Sequence, residues 1–246
     1  MSKYGIRGGH NAQAPGADGI IDELTEDRLV KNAVIKYLKL AGETIIDCTP
    51  PNSSEEVDLE FGTGTANDNK VDLFVPIHFN SCVAVNGAVG SEVWLNPKNP
   101  QGVVIANRIL ANLHALGFIN RGLKDGTSTE HLHDILDSNM TATLVEVCFV
   151  NSAQDVAIYR KIGFDKVGKV IAEGIIGKTI AEPVAEVVSK PVVVAPVESK
   201  VNAGILALQK FLNAEKYTDS ANKILVEDGE DGTCTKEAFE KLVKTV

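Results

Sequence analysis

Residues 71–78 read VDLFVPIH, and residues 143–150 read TLVEVCFV. Each is a short apolar run rich in β-formers that also holds a residue able to bind metal or move a proton. His78 ends the first run and Glu146 sits inside the second. Runs of this kind suit strands that are covered on both faces. Helices are the usual cover, so the pair points to an α/β fold with a central, mostly parallel or mixed twisted sheet flanked by helices.

The flanking sequence alternates in the same way. Residues 3–7 form a short apolar segment that ends in Gly8-Gly9. Leu29, Ala33, Tyr37 and Ala41, beside Val30, Val34 and Leu38, recur at helical spacing and stop at Gly42, a C-terminal glycine signal. Residues 44–48 and 91–95 read as strands, and residues 101–116 as a helix ended by Gly117. Residues 152–176 read as helical with a break at Gly163. The stretch 51–69, rich in Asn, Asp, Ser, Thr and Gly, predicts a surface loop or a poorly formed helix. The stretch 126–139, GTSTEHLHDILDSN, predicts a solvent-exposed loop despite His131, His133 and Asp134.

Composition narrows the function classes. The 246 residues are 44% hydrophobic and 23% charged, with a net charge of −9. An acidic chain is poorly suited to non-specific nucleic-acid binding, which needs basic surface to displace counterions. No apolar run is long enough to predict a membrane span, so no stable membrane association is expected. The opening MSKYGIRGGH lacks the apolar core of a secretory signal, so the expected site of synthesis and residence is the cytoplasm. Cys48, Cys82, Cys148 and Cys234 are widely spaced and read as free thiols. The oligomeric state cannot be read from the sequence.

Three domains are expected: 1–180, a linker over 181–200, and a small mainly helical module over 201–246. Pro183, Pro191 and Pro196 recur in the linker among Val, Ala, Glu and Lys, which predicts a semi-rigid extended connection. In the module, Ile205, Leu208 and Leu212 share a helical face. Residues 235–243 predict a second short helix.

Three polar residues stand where an α/β enzyme places its chemistry. His10 follows the first strand and two glycines that permit close backbone approach. His78 ends a strand, where a carboxyl-end crevice forms. Glu146 lies among apolar residues, where a carboxylate is costly unless paired or bound to metal. Two histidines and a carboxylate make a zinc site of the catalytic kind, with a position left open for water. Glu146 could be the third ligand or the base. Asp22, Glu23, Glu26 and Asp27, at the start of the first long helix, are the other candidate ligands.

The order GGHN, an acidic helix start, DLFVPIHFNS, GSEVWL and TLVEVCFVNS resembles the zinc-dependent N-acetylmuramoyl-L-alanine amidases over about residues 1–178. The resemblance implies His10 and His78 as zinc ligands and Glu146 as the catalytic glutamate. Its ligand glutamate opens a helix that ends in a glycine nineteen residues later. Gly42 then selects Glu23 over Glu26. Asn80 and Glu92 are expected to line the crevice. Two departures stand out. Pro76 replaces the family's serine before the I-H pair and predicts an edge strand or bulge. The arginine of the family's R-x-x-x-A-N segment is missing before Ala66-Asn67.

The family implies hydrolysis of the amide between N-acetylmuramic acid and L-alanine in the peptidoglycan of a Gram-positive wall. The expected role is that of an endolysin, held in the host cytoplasm until release and then acting at the cell wall. The alternatives are a bacterial autolysin of the same activity and a dead amidase that only binds wall. LQKFLNA and VEDGEDGTCTKEAF, in 201–246, resemble a small peptidoglycan-binding repeat. Deleting 201–246 is therefore expected to weaken co-sedimentation with purified cell walls. Unchanged sedimentation would contradict a targeting role.

Overall fold

The computed structural model describes residues 2–128 and 132–181. Beyond these it describes only residues 209, 210, 212, 213, 218, 223, 225, 235, 238 and 241. The linker over 182–200, His131, Cys234 and most of the two C-terminal helices expected from sequence lie outside the described residues. The chain divides into two compact units, Met1–Val184 and Ala185–Val246. In the second, Leu212, Leu225 and Ala238 are buried together, and Gln209 Nε2 donates to Thr235 Oγ1 at 3.1 Å.

In the first unit the strands are β1 (Lys3–Gly8), β2 (Thr44–Asp47), β3 (Leu73–Asn80), β4 (Ser91–Leu95), β5 (Asn120–Asp125) and β6 (Thr141–Phe149). The helices are α1 (Glu23–Leu40), α2 (Glu55–Asp68), α3 (Pro100–Ala115), α4 (His133–Leu136), α5 (Ala153–Ile162) and α6 (Phe164–Ile176). One six-stranded sheet runs in the order β2-β1-β3-β6-β4-β5. β1, β2, β3 and β6 are mutually parallel; β4 runs antiparallel to β6, and β5 follows β4 in parallel. Among the described residues, no helix is long and apolar enough to cross a membrane.

The two sheet faces are covered unequally. Ile6, Val75, Ile77, Val145 and Val147 point to one face and bury a large core with Val34 of α1, Ile109 of α3 and Ile171 of α6. Phe74, Ala142 and Leu144 point to the other face. They form a smaller cluster with Ala66 of α2 and Ile135 beside it. α2 and α4 therefore cover only part of this second face. Strand alternation places His78 and Glu146 on it as well, beyond the cover.

Pro76 corrects an expectation. It lies in β3, an interior strand flanked by β1 and β6, and not at an edge. Pairing with β1 is continuous through Val75 and Pro76, whereas pairing with β6 skips both residues. The missing N–H thus faces β6, and the sheet tolerates one absent bond there because the β1 side is intact. The register irregularity in this pair falls later, between His78 and Asn80.

The stretch expected as a loop or poorly formed helix, and the one expected as an exposed loop, are both drawn in by a buried cation. Arg7 on β1 is 1% exposed. Its guanidinium pairs with Asp58 of α2 through Nη2 and with Asp134 of α4 through Nη1, the latter at 2.7 Å. Asp58 also accepts from Asn11 Nδ2 at 2.8 Å. A buried charge must be paired, so each carboxylate anchors its helix to the sheet. This makes 55–68 a helix although it has little apolar face. It also makes Asp134 a buried residue, 3% exposed, in a stretch expected to be solvent-exposed. Arg7 lies over Gly62, where an added Cβ would come within 2.7 Å of Nη1. Gly62 is also the position at which the R-x-x-x-A-N pattern would carry arginine.

Replacing both Asp58 and Asp134 with Ala leaves Arg7 buried without a carboxylate. Urea unfolding should show a loss of about 3–5 kcal/mol. A loss under about 1 kcal/mol would show that the triad does not hold these helices.

Candidate functional site

Three side chains from three separate elements converge at the carboxyl end of β1 and β3. His10 follows β1, Glu23 is the first residue of α1, and His78 lies near the end of β3. Their ligand atoms all lie within 4.8 Å of one another. His10 Nε2 and His78 Nδ1 each approach Glu23 Oε1 at 3.2 Å. The two imidazoles meet edge to face, with centroids 4.9 Å apart. Ligands on a tetrahedral zinc at about 2.0–2.2 Å sit roughly 3.3 Å apart, so this spacing already matches a metal-ligand set.

The scaffold fixes each member. Asp22 caps α1 by accepting from the Thr25 N–H at 2.8 Å, which places Glu23 at the first helical position. The Glu23 carboxylate accepts from the backbone N–H of Phe79 at 3.0 Å and of Ala17 at 2.8 Å. Burial pushes its pKa up, but the hydrogen bonds to His10 and His78 outweigh that and hold the carboxyl well below its usual range. Burial lowers the pKa of His78, against the opposing effect of Glu23, and so favours the neutral, metal-binding imidazole.

The other acids at the helix start are occupied elsewhere. Glu26 accepts from Tyr159 Oη at 2.7 Å. Asp27 is fully buried against Arg28, and burial pushes its carboxyl up to about 8.

His10 takes a left-handed backbone conformation, φ 57°, which a side chain rarely adopts unaided. Arg28 holds this turn by donating to the carbonyl oxygens of both Gly9 and His10. Gly9 gives room to His78: a Cβ there would fall 2.1 Å from its Cε1. Sequence reasoning missed Arg28. It stands one residue past the acidic cluster, and only the tertiary fold shows that its head reaches the turn.

Glu146 completes the site without joining the ligand trio. Register pairs it with His78 on one side and Glu92 on the other, so the three side chains share one face across three adjacent strands. Neither Arg7 nor Arg121 pairs with it. Arg7 holds Asp58 and Asp134, and Arg121 holds Glu92. Among the described residues, nothing bonds to the sealed Oε2 of Glu146. Burial, then the charges of Glu23 and Glu92, raise its pKa well above the usual carboxylate value. A carboxyl that binds protons this readily beside a metal-ligand set is placed for general base and acid work.

Glu92 is 2% exposed and accepts from Asn80 Nδ2 at 2.8 Å, Trp94 Nε1 at 3.1 Å and Arg121 Nε at 2.7 Å. Asn80 thus joins the polar row through Glu92. His133 lies outside the trio and pairs with Asp137 at 3.6 Å. Cys48, Cys82 and Cys148 are free thiols, and Cys48 and Cys148 are buried.

The family model for N-acetylmuramoyl-L-alanine amidase matches residues 5–177. The chain is 43% identical over 182 residues to an uncharacterised protein of Clostridium perfringens, covering 73% of this chain and 53% of that protein. The catalytic domain of the CD27L endolysin targeting Clostridia difficile superposes with a TM-score of 0.65 at 25% identity, covering 74% of this chain and 100% of that one. The catalytic domain of CwlV, an N-acetylmuramoyl-L-alanine amidase from Bacillus (Paenibacillus) polymyxa var. colistinus, gives 0.60 at 25% identity, with 72% and 97% covered. The chain spans about half the length of the curated C. perfringens relatives it matches. With the family model spanning most of the folded unit and the polar row in place, the chain belongs to the N-acetylmuramoyl-L-alanine amidase family.

Proposed function

We propose that the protein is a zinc-dependent amidase that cuts the bond between N-acetylmuramic acid and L-alanine in peptidoglycan, with an endolysin role on a Gram-positive wall. The observation that carries the reading is the trio His10, Glu23 and His78 within 4.8 Å, with protonatable Glu146 one strand away. Two imidazoles and an ionised carboxylate suit zinc, and their spacing fits it. Bound there, zinc would bring a water toward ionisation at neutral pH and polarise the amide carbonyl.

The chain's own residues supply the proton transfers. Glu146 takes a proton from the attacking water and returns it to the leaving alanine nitrogen. Its raised pKa makes it a stronger base than an ordinary carboxylate and lets it hold that proton between the two transfers. Glu23 is kept ionised by the same histidines that it orients, so the two glutamates divide the roles of ligand and base.

The likeness to an endolysin catalytic domain supports the lytic role. In this reading the protein rests in the host cytoplasm and reaches the wall on release, with residues 201–246 as a wall-binding module.

The test is an end-group assay on purified Gram-positive peptidoglycan. New N-terminal alanine, without new reducing sugar ends and lost with a chelator, is the expected result. Glu146→Gln should retain metal while turnover falls by at least about a thousandfold. New reducing ends would mean a glycosidase and overturn the proposal. An active Glu146→Gln variant would overturn the assignment of the base.

A further inference from the structure

The crevice does not stop at Glu146. The polar row continues to Glu92 on β4 and then to two cations on β5, Arg121 and Lys124. Glu92 takes the Arg121 Nε at 2.7 Å and lies 3.7 Å from Lys124 Nζ, so one carboxylate faces two cations. The Arg121 guanidinium carbon also lies 4.9 Å from the centre of the Phe149 ring, a cation–π contact. Among the described residues, nothing accepts from its two Nη groups. The side chains of Arg121 and Lys124 are 34% and 32% exposed. A purely structural partner for Glu92 would engage its carboxylate with the guanidinium fork. Here the contact is made by Nε, and among the described residues the two Nη groups of a part-exposed side chain are left to bind a carboxylate.

From this arrangement we propose that Arg121 and Lys124 form a subsite for a carboxylate on the second residue of the stem peptide. The inference rests on the amidase reading above and names the substrate class of that site. Glu146 returns its proton to the leaving nitrogen, so the peptide after the cut bond lies on the Glu146 side of the crevice. β5 is two strands from β6, roughly 10 Å at about 4.8 Å per strand. An extended peptide advances about 3.3–3.6 Å per residue. A carboxyl carbon on the second residue then lies roughly 6–7 Å past that nitrogen, and a hydrogen bond spans the rest. The first residue would stop beside Glu92, where a charged side chain of the same sign is repelled; alanine brings only a methyl group. The stem's second residue, D-glutamate, occurs with a free α-carboxyl or as the amide. The subsite selects the free acid.

The test compares two soluble muramyl tripeptides in which D-Glu is linked onward through its γ-carboxyl and the C-terminus is an amide, one with the D-Glu α-carboxyl free and one with it amidated. The full chain should cleave the acid with a kcat/KM about tenfold or more above the amide, the value of one charge-assisted hydrogen bond. Arg121→Gln should bring the ratio near one by slowing the acid, while Arg121→Lys keeps part of it. Because both substrates are read on each variant, a general loss of fold or activity cancels in the ratio. Calorimetric binding of the same two peptides to Glu146→Gln gives a second ratio that needs no turnover. Cleavage of neither peptide would sink the amidase reading, and the binding ratio would still decide the subsite. Equal handling of acid and amide by the unsubstituted chain, or a preference that survives Arg121→Gln, would overturn the proposal.

Discussion

The carboxylate of Glu23 is held from several sides at once. Backbone N–H groups of Phe79 and Ala17 donate to it, and the rings of His10 and His78 close on Oε1. These groups come from a strand, two loops and a helix start. Their meeting point is therefore a statement about the whole parallel half of the sheet. β1 delivers the turn with His10, β3 delivers His78, and the capped start of α1 delivers Glu23 between them. The hydrogen bonds from the two rings keep that buried carboxylate ionised.

Around that point the fold uses charge economically. The second face of the sheet has only two short helical covers, and both are tied down by Arg7 through Asp58 and Asp134. What they leave open is a line of polar side chains crossing neighbouring strands: His78, Glu146, Glu92 and then the cations of β5. The antiparallel turn of β4 and β5 matters here. It sets Glu92 directly opposite Glu146 and raises the proton affinity of that carboxyl further. Fold and reactivity are thus coupled through strand direction.

Much of this was legible in the sequence, and the parts that were not share a cause. Residues 91–95 were read to the residue as a strand, and Gly163 as the break between α5 and α6, because apolar pattern and glycine act locally. For 55–68 the sequence left a loop and a poorly formed helix both open, because the helix is secured by Asp58 reaching Arg7, some fifty residues away in sequence. β5, NRGLKD, was missed because an edge strand needs few apolar residues. Pro76 misled because a missing donor matters on one side only in a parallel strand. At the site, His10 and His78 stood out by position at strand ends, and Glu146 as a carboxylate inside an apolar run. Glu23 needed a spacing argument from Gly42, and Arg28 gave no signal short of the folded turn.

The account stands most directly on where a metal ion would sit. Anomalous diffraction at the zinc edge from crystals of the zinc-loaded protein decides it. The account predicts one strong peak at about 2.0–2.2 Å from ligand atoms of His10, Glu23 and His78, with Glu146 close by but not a ligand. A peak held by His133 and its neighbours, or one in which Glu146 replaces Glu23, would contradict it.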